Sequence, residues 1–289
     1  MGTSIENICI IGATGFVGRN LVAELARRGK RVIALTRHPE QAHLPEAEVI
    51  PLTHRLDFSG MDAVINLAGV LHSPFEAVHI DLPKSIAHAC AEQSVPRFLH
   101  MSALGASMNG PSEYLKSKMA GEDEVRKACQ GSKTRYTIFR PSVIAGRDDH
   151  FISLFSKLVR ASPVLPLACP NARLQPIRIE DVVRAFAEGL EMPRAFDETF
   201  CLCGPHAYRL IDLVKKMAGG RKRLIIPLSD RLSYLQARLL EFTPGPLMTR
   251  DNYLSLSKDN VCAGDFPFDW TPGAIEELII SAVHRHRAP

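Results

Sequence analysis

Tyr114 and Lys118 stand four residues apart in S-E-Y-L-K-S-K (112–118), a spacing that puts both side chains on one face of a helix. An ammonium beside a phenol favours the phenolate and lowers the phenol's pKa. That suits the phenol to exchange a proton with a carbonyl oxygen while hydride moves to or from the carbon. The same lysine can hold the ribose of a nicotinamide nucleotide. Such chemistry needs a hydride donor, and the N-terminal stretch supplies a place for one.

Residues 8–18 read I-C-I-I-G-A-T-G-F-V-G, an apolar run that becomes three glycines within seven residues and then a helical pattern. The order is strand, tight turn, helix start. Gly12 can make the turn, Gly15 lets backbone approach a pyrophosphate beside Thr14, and Gly18 allows close packing of helix on strand. The N–H groups of the helix N-terminus face the phosphates. An acidic residue at the end of the second strand normally binds the adenosine ribose 2′-hydroxyl, and a basic one accommodates a 2′-phosphate. This chain has Thr36-Arg37-His38 there. Arg37, with Arg19 as a helper, therefore points to NADP(H) ahead of NAD(H).

The elements that must position these groups follow from periodicity. A helix is expected over 16–28, closed by Gly29, and strands over 31–36, 49–52, 61–67, 97–102 and 134–140, with helices over 74–93 and 111–130. The 61–67 strand ends in Asn66-Leu67-Ala68-Gly69, small residues that leave room for a ligand outside the carboxyl end of a parallel strand. Six strands alternating with helices predict an α/β, Rossmann-type doubly wound parallel sheet spanning 1–150. A strand over 173–179, a helix to about residue 190 and a strand over 199–202 return the chain to that sheet at about 173–204. Segments 151–172 and 205–289 are expected to form a small discontinuous cap that sets the substrate.

The 289 residues are 46% hydrophobic and 23% charged with a net charge of +4, the balance of a globular protein that carries no basic groove for nucleic acid. Seven scattered cysteines, an odd number, read as reduced thiols in the cytoplasm. The first strand begins too early for a targeting peptide, and no apolar run approaches a membrane span. Metal sites are not expected: Cys201 and Cys203 share a strand face but lack further ligands, and a buried strand is the simpler reading. His72 and His79 could reach the cleft, although a hydrogen-bonded histidine is the blander account. Leu232, Leu235, Leu239 and Phe242 form one stripe on a helix over 229–242; it could dock on a membrane surface or a partner, but core packing of the cap is the expected role.

The glycine turn G-A-T-G-F-V-G, the Asn66–Gly69 strand end and Tyr114-x-x-x-Lys118 together resemble the short-chain dehydrogenase/reductase superfamily, in its extended or atypical branch. M-S-A-L-G-A (101–106), R-L-Q-P-I-R-I-E-D-V (173–182) and L-M-T-R-D-N-Y (247–253) are similar to one atypical group. That group is named for the nucleotide-binding accessory subunit of respiratory NADH:ubiquinone oxidoreductase and its bacterial relatives. The resemblance implies that Gly12, Gly15 and Gly18 bind the pyrophosphate with backbone N–H groups of Phe16 and Val17, and that Leu67, Ala68 and Gly69 border the cofactor. It implies Tyr114 as acid/base, Lys118 as its partner and a serine that holds the substrate carbonyl. Ser102 is the candidate, although the register of extended members aligns Ala103, with Ser107 or Ser112 as substitutes if their loop folds inward. The acidic residue that often touches adenine is not evident, Asp57 being a distant replacement. The expected activity is NADPH-dependent reduction of a carbonyl or quinone-like small molecule. The alternatives are an NADPH-binding structural or assembly protein, peripherally associated with a respiratory complex, and a sensor of NADPH against NADP⁺.

Overall fold

The computed structural model describes residues 4–149, 151–243 and 247–285; positions 1–3, 150, 244–246 and 286–289 of the two expected units lie outside them. The first half runs β1 (Asn7–Ile11), α1 (Phe16–Arg27), β2 (Arg31–Thr36), β3 (Glu48–Pro51), β4 (Ala63–Asn66), α2 (Leu82–Glu92), β5 (Arg97–Met101), α3 (Glu113–Cys129) and β6 (Arg135–Pro141). The second runs β7 (Ile144–Ala145), α4 (Ile152–Ala161), β8 (Val164–Leu167), β9 (Arg173–Leu174), β10 (Ile177–Arg178), α5 (Ile179–Gly189), β11 (Glu198–Leu202), β12 (Tyr208–Arg209), α6 (Leu210–Met217), β13 (Leu224–Pro227), α7 (Asp230–Leu240), α8 (Arg250–Leu256) and α9 (Glu276–Arg285).

Seven strands form one parallel sheet in the order β11-β6-β5-β4-β1-β2-β3, a Rossmann-type doubly wound arrangement. A parallel sheet is covered on both faces, which is why I-C-I-I carries no polar interruption. Alternation then sorts the strand: Ile8 and Ile10 join one apolar cluster with Leu21, Val22 and Phe186, while Cys9 and Ile11 join the other with Ile86, Phe98 and Val125. Strand order reverses between β1 and β4, whose ends pair as Ile11 with Asn66. The glycine turn and the 67–69 segment therefore leave the sheet side by side at its switch point, where open α/β sheets bind ligands.

A third cluster, with Ile152, Val159, Leu165, Leu213, Val214 and Ile279, is built from α4, β8, α6 and α9 beyond the main sheet. Several expectations are corrected here. Strand and helix do not alternate throughout, since β2 reaches β3 through a 3₁₀ turn at Pro39–Gln41 and β3 reaches β4 through a loop. The expected 173–179 strand is two two-residue strands, because Gln175 and Pro176 turn the chain between a partner in β12 and a partner in β7. Cys203 and Cys262 form a disulfide, with Cα atoms 6.1 Å apart. An odd cysteine count could not reveal it: Cys203 follows β11, and Gln175, by accepting the Cys262 N–H through Oε1 at 2.9 Å, helps bring the second thiol alongside. The leucine stripe of α7 is not core. Its buried residues are Ser233 and Ala237, on the opposite side of the helix.

Candidate nucleotide and proton-transfer site

Gly12 sits at φ +85°, and a Cβ there would stand 2.8 Å from the Ala68 nitrogen. A Cβ on Gly18 would stand 2.3 Å from the Gly12 carbonyl oxygen and 2.5 Å from that of Ala13. Side chains are excluded at both positions by backbone, so the two strand ends approach closely. Gly15 is the N-cap of α1 and offers no side chain to its first turn. That leaves N–H groups at the positive end of the helix open to a ligand, the cradle a pyrophosphate fits. Thr14, Arg19, Gln41, Ala42, His43 and Leu44 line a cleft of about 190 Å³ beside the turn. Arg19 reaches the Thr14 carbonyl with Nη1 at 2.6 Å. Arg37 is exposed and does not line this cleft; Arg19 does.

At the β4 end, the Asn66 side chain orders the chain that follows. Its Oδ1 accepts the Ala68 N–H at 3.1 Å, and its amide faces His100 Nδ1 at 3.2 Å. Burial holds the His100 pKa far below the usual histidine range, so the ring is neutral. With Nδ1 accepting, Nε2 carries the proton and has no partner among the described residues; Ser102 Oγ, two residues further along, is likewise buried and unpaired among them. Two orphaned polar groups at the end of β5 are unusual in a core and fit a place where a polar ligand group is received.

Lys118 is buried, and its ammonium donates to the Met101 carbonyl at 3.1 Å. Burial pulls its pKa down to about 8, against the opposing effect of Glu122 one turn along. A Cβ on Gly69 would lie 3.5 Å from Lys118 Nζ, so this charge faces the end of β4. His79 completes the wall: Nε2 accepts the Val70 N–H at 3.0 Å, Nδ1 faces Ser117 Oγ at 2.9 Å, and Ser117 donates to the Tyr114 carbonyl at 2.8 Å. Burial and the nearby Lys118 charge pull His79 down to about 3, so it serves as a neutral brace. Its ring stacks on Phe75 and meets the Tyr114 ring edge-on at 5.4 Å.

Tyr114 is half-buried, and its pKa is pushed up to about 12, by burial first and then by the Asp251 carboxylate. The lowering expected from Lys118 is absent from the causes of that shift, and its ammonium is directed to the Met101 carbonyl. Asp251 falls within L-M-T-R-D-N-Y, but its role could not be read from that stretch: it arrives from α8 to accept the N–H groups of Glu113 and Tyr114 at 2.7 and 3.2 Å. The bonds of His79 to Ser117 and to the Val70 N–H could not be read from the sequence either. The substitute serines are occupied locally: Ser112 caps α3 through Leu115 N, and Ser107 caps its own turn through Asn109 N. Ala103 is buried beside Ser102, and Asp57 caps Ser59 at the surface. No cluster able to hold a metal occurs among the described residues.

A glycine turn at the switch point, with a Tyr-x-x-x-Lys helix beside the neighbouring strand end, defines a dinucleotide-binding protein of the short-chain dehydrogenase/reductase type. The chain belongs to the NAD dependent epimerase/dehydratase family, whose profile matches residues 8–203. It is 32% identical to the rat mitochondrial NADH dehydrogenase [ubiquinone] 1 alpha subcomplex subunit 9, over 96% of this chain and 80% of that protein. It is 36% identical to a ceramide reductase of Caulobacter vibrioides over 60% of this chain and 57% of the other. Among solved structures, MoeE5 in complex with UDP-glucose and NAD has the same fold, with a TM-score of 0.73, 16% identity and coverage of 97% and 98% of the two chains.

Proposed function

We propose that the protein is an NADPH-dependent oxidoreductase that reduces a carbonyl or quinone-like group on a small apolar molecule. The observation that carries the reading is the buried Lys118 ammonium, turned toward Gly69 where β4 and β5 end. A nicotinamide dinucleotide bound along Gly12, Gly15 and Gly18 would supply the hydride. Phe16 and Val17 N–H groups would face its pyrophosphate, with Thr14, Leu67, Ala68 and Gly69 along its length. Lys118 would hold the ribose, Ser102 Oγ would receive the carbonyl oxygen, and Tyr114 would deliver the proton to that oxygen. Arg19 in the cleft beside the turn, with Arg37 exposed just after β2, favours a 2′-phosphate and hence NADPH over NADH. The NAD bound to MoeE5 and the reductase activity in the name of the Caulobacter relative support the class of chemistry.

The test is a Tyr114→Phe variant assayed for NADPH oxidation with a panel of carbonyl compounds and quinones. A loss of about 100-fold or more is expected for removal of a general acid, and equal rates in the two proteins would remove Tyr114 from the mechanism. One observation favours a second reading, a nucleotide-binding accessory protein without turnover. Tyr114 is raised, and the rat relative is named as a subunit of an NADH dehydrogenase. Under that reading the protein binds NADPH and copurifies with a respiratory or quinone-linked partner.

A further inference from the structure

Helix α7 turns its apolar side outward. Leu232, Leu235, Leu239 and Phe242 lie on one stripe and are 51%, 48%, 64% and 79% exposed. The side facing the body is made of Ser233 and Ala237, both fully buried, and Ser233 Oγ accepts the Cys169 N–H at 3.2 Å. The helix is therefore already seated through small residues, and the stripe has no place to pack within the described residues. An adjoining surface continues it. In the parallel pair β8–β13, Leu224 stands beside Val164 and Ile226 beside Pro166, and Leu224, Val164 and Ile226 are all exposed. Gln236 on α7 donates to the Pro166 carbonyl at 3.1 Å, joining ribbon to helix.

The border of this surface is cationic. Residues 221–242 contain five Lys or Arg and two acids, and one of the acids, Glu241, is bonded to Arg250. Arg231 and Arg238 flank the stripe on α7, and Lys222 precedes β13; all three are exposed, and no ion pair holds them among the described residues. Exposed apolar groups with cations beside them match a surface that is hydrocarbon below and anionic above. The run of aliphatic side chains asks for no hydrogen-bond partner, as acyl chains do not.

We propose that the α7 stripe and the outer face of β8–β13 dock this protein peripherally on an anionic lipid bilayer. Vesicles of phosphatidylcholine alone, and vesicles with about one third phosphatidylglycerol, would be sedimented with the full-length protein and with two variants, Leu235→Gln/Leu239→Gln and Arg231→Gln/Arg238→Gln. The wild type is expected to bind the anionic vesicles about tenfold or more better than the neutral ones, and less well as salt rises. Each variant is expected to weaken that binding by about tenfold while its thermal unfolding stays unchanged, since the replaced side chains are exposed. Absence of binding to anionic vesicles, or equal binding by both variants and the wild type, overturns the proposal. So does loss of a wild-type dimer in the leucine variant, because that result gives the stripe to a second copy of the chain.

Discussion

Asp251 accepts the backbone N–H of Tyr114 at 3.2 Å, so a carboxylate 137 residues later in the chain caps the helix that carries the phenol. It is also the second cause, after burial, of a phenol pKa pushed up to about 12. A phenol must be protonated to donate, so reduction is present below its pKa and is lost as pH rises through it. Asp251→Asn is expected to lower that pKa and move the alkaline limb of NADPH oxidation to lower pH. It should also cost about 1 kcal/mol of stability through the weakened cap. A pH–rate profile checks the first effect, and an unmoved limb would uncouple Asp251 from the phenol.

His79 gives a prediction about acid. It is neutral in the folded protein down to about pH 3 and takes a proton near 6.5 when unfolded. Between these values the unfolded chain binds more protons, so stability falls as pH drops from about 6.5 toward 3. His79→Phe keeps a ring against Phe75 but leaves the Val70 N–H without its acceptor, at a cost of about 1–3 kcal/mol near pH 7. The variant should lose less stability than wild type between pH 7.5 and 5 in urea unfolding. Some slope remains, because His100 is lowered in the same direction.

The glycines separate two physical causes. Gly18→Ala would drive a methyl group into two backbone carbonyls, with expected costs of about 2–4 kcal/mol and loss of nucleotide binding. Gly29 has φ +77° but open space around it, so Gly29→Ala should cost about 1 kcal/mol and leave binding intact. Calorimetric unfolding and NADPH titration of both variants distinguish these outcomes.

Much of this was legible in the sequence, for reasons that are local. The apolar run of β1, its glycines and the capped helix after them are encoded in one consecutive run, 7–29, and the 31–36 strand matches β2 residue for residue. Tyr114 and Lys118 do share the helix that the spacing requires. What was hidden depends on contacts between distant segments. Asp251 at Tyr114, Cys262 at Cys203 and Gln175 between them have no periodic signature. The outward α7 stripe was hidden for another reason: apolar residues at helical spacing show that a helix has an apolar side, and not whether that side meets the core or the surface.

The Cys203–Cys262 bond closes a long loop, with a sequence separation of 59 residues, that contains α6, α7 and α8. Its reduction, or Cys203→Ser, should lower stability by about 2–4 kcal/mol. Denaturant unfolding with and without reductant measures this; equal midpoints would mean that the bond does not constrain the unfolded chain.

The proposed hydride transfer takes place between Lys118, Tyr114 and the end of β4. It is tested most directly by mass analysis of products after wild-type protein turns over NADPH deuterated at both nicotinamide C4 positions, with the carbonyl panel, whose alcohol products keep the label on carbon. One deuterium is expected in the reduced product with wild type and almost none with Tyr114→Phe. Tight NADPH binding without deuterium transfer to any acceptor would contradict it and leave a nucleotide-binding protein.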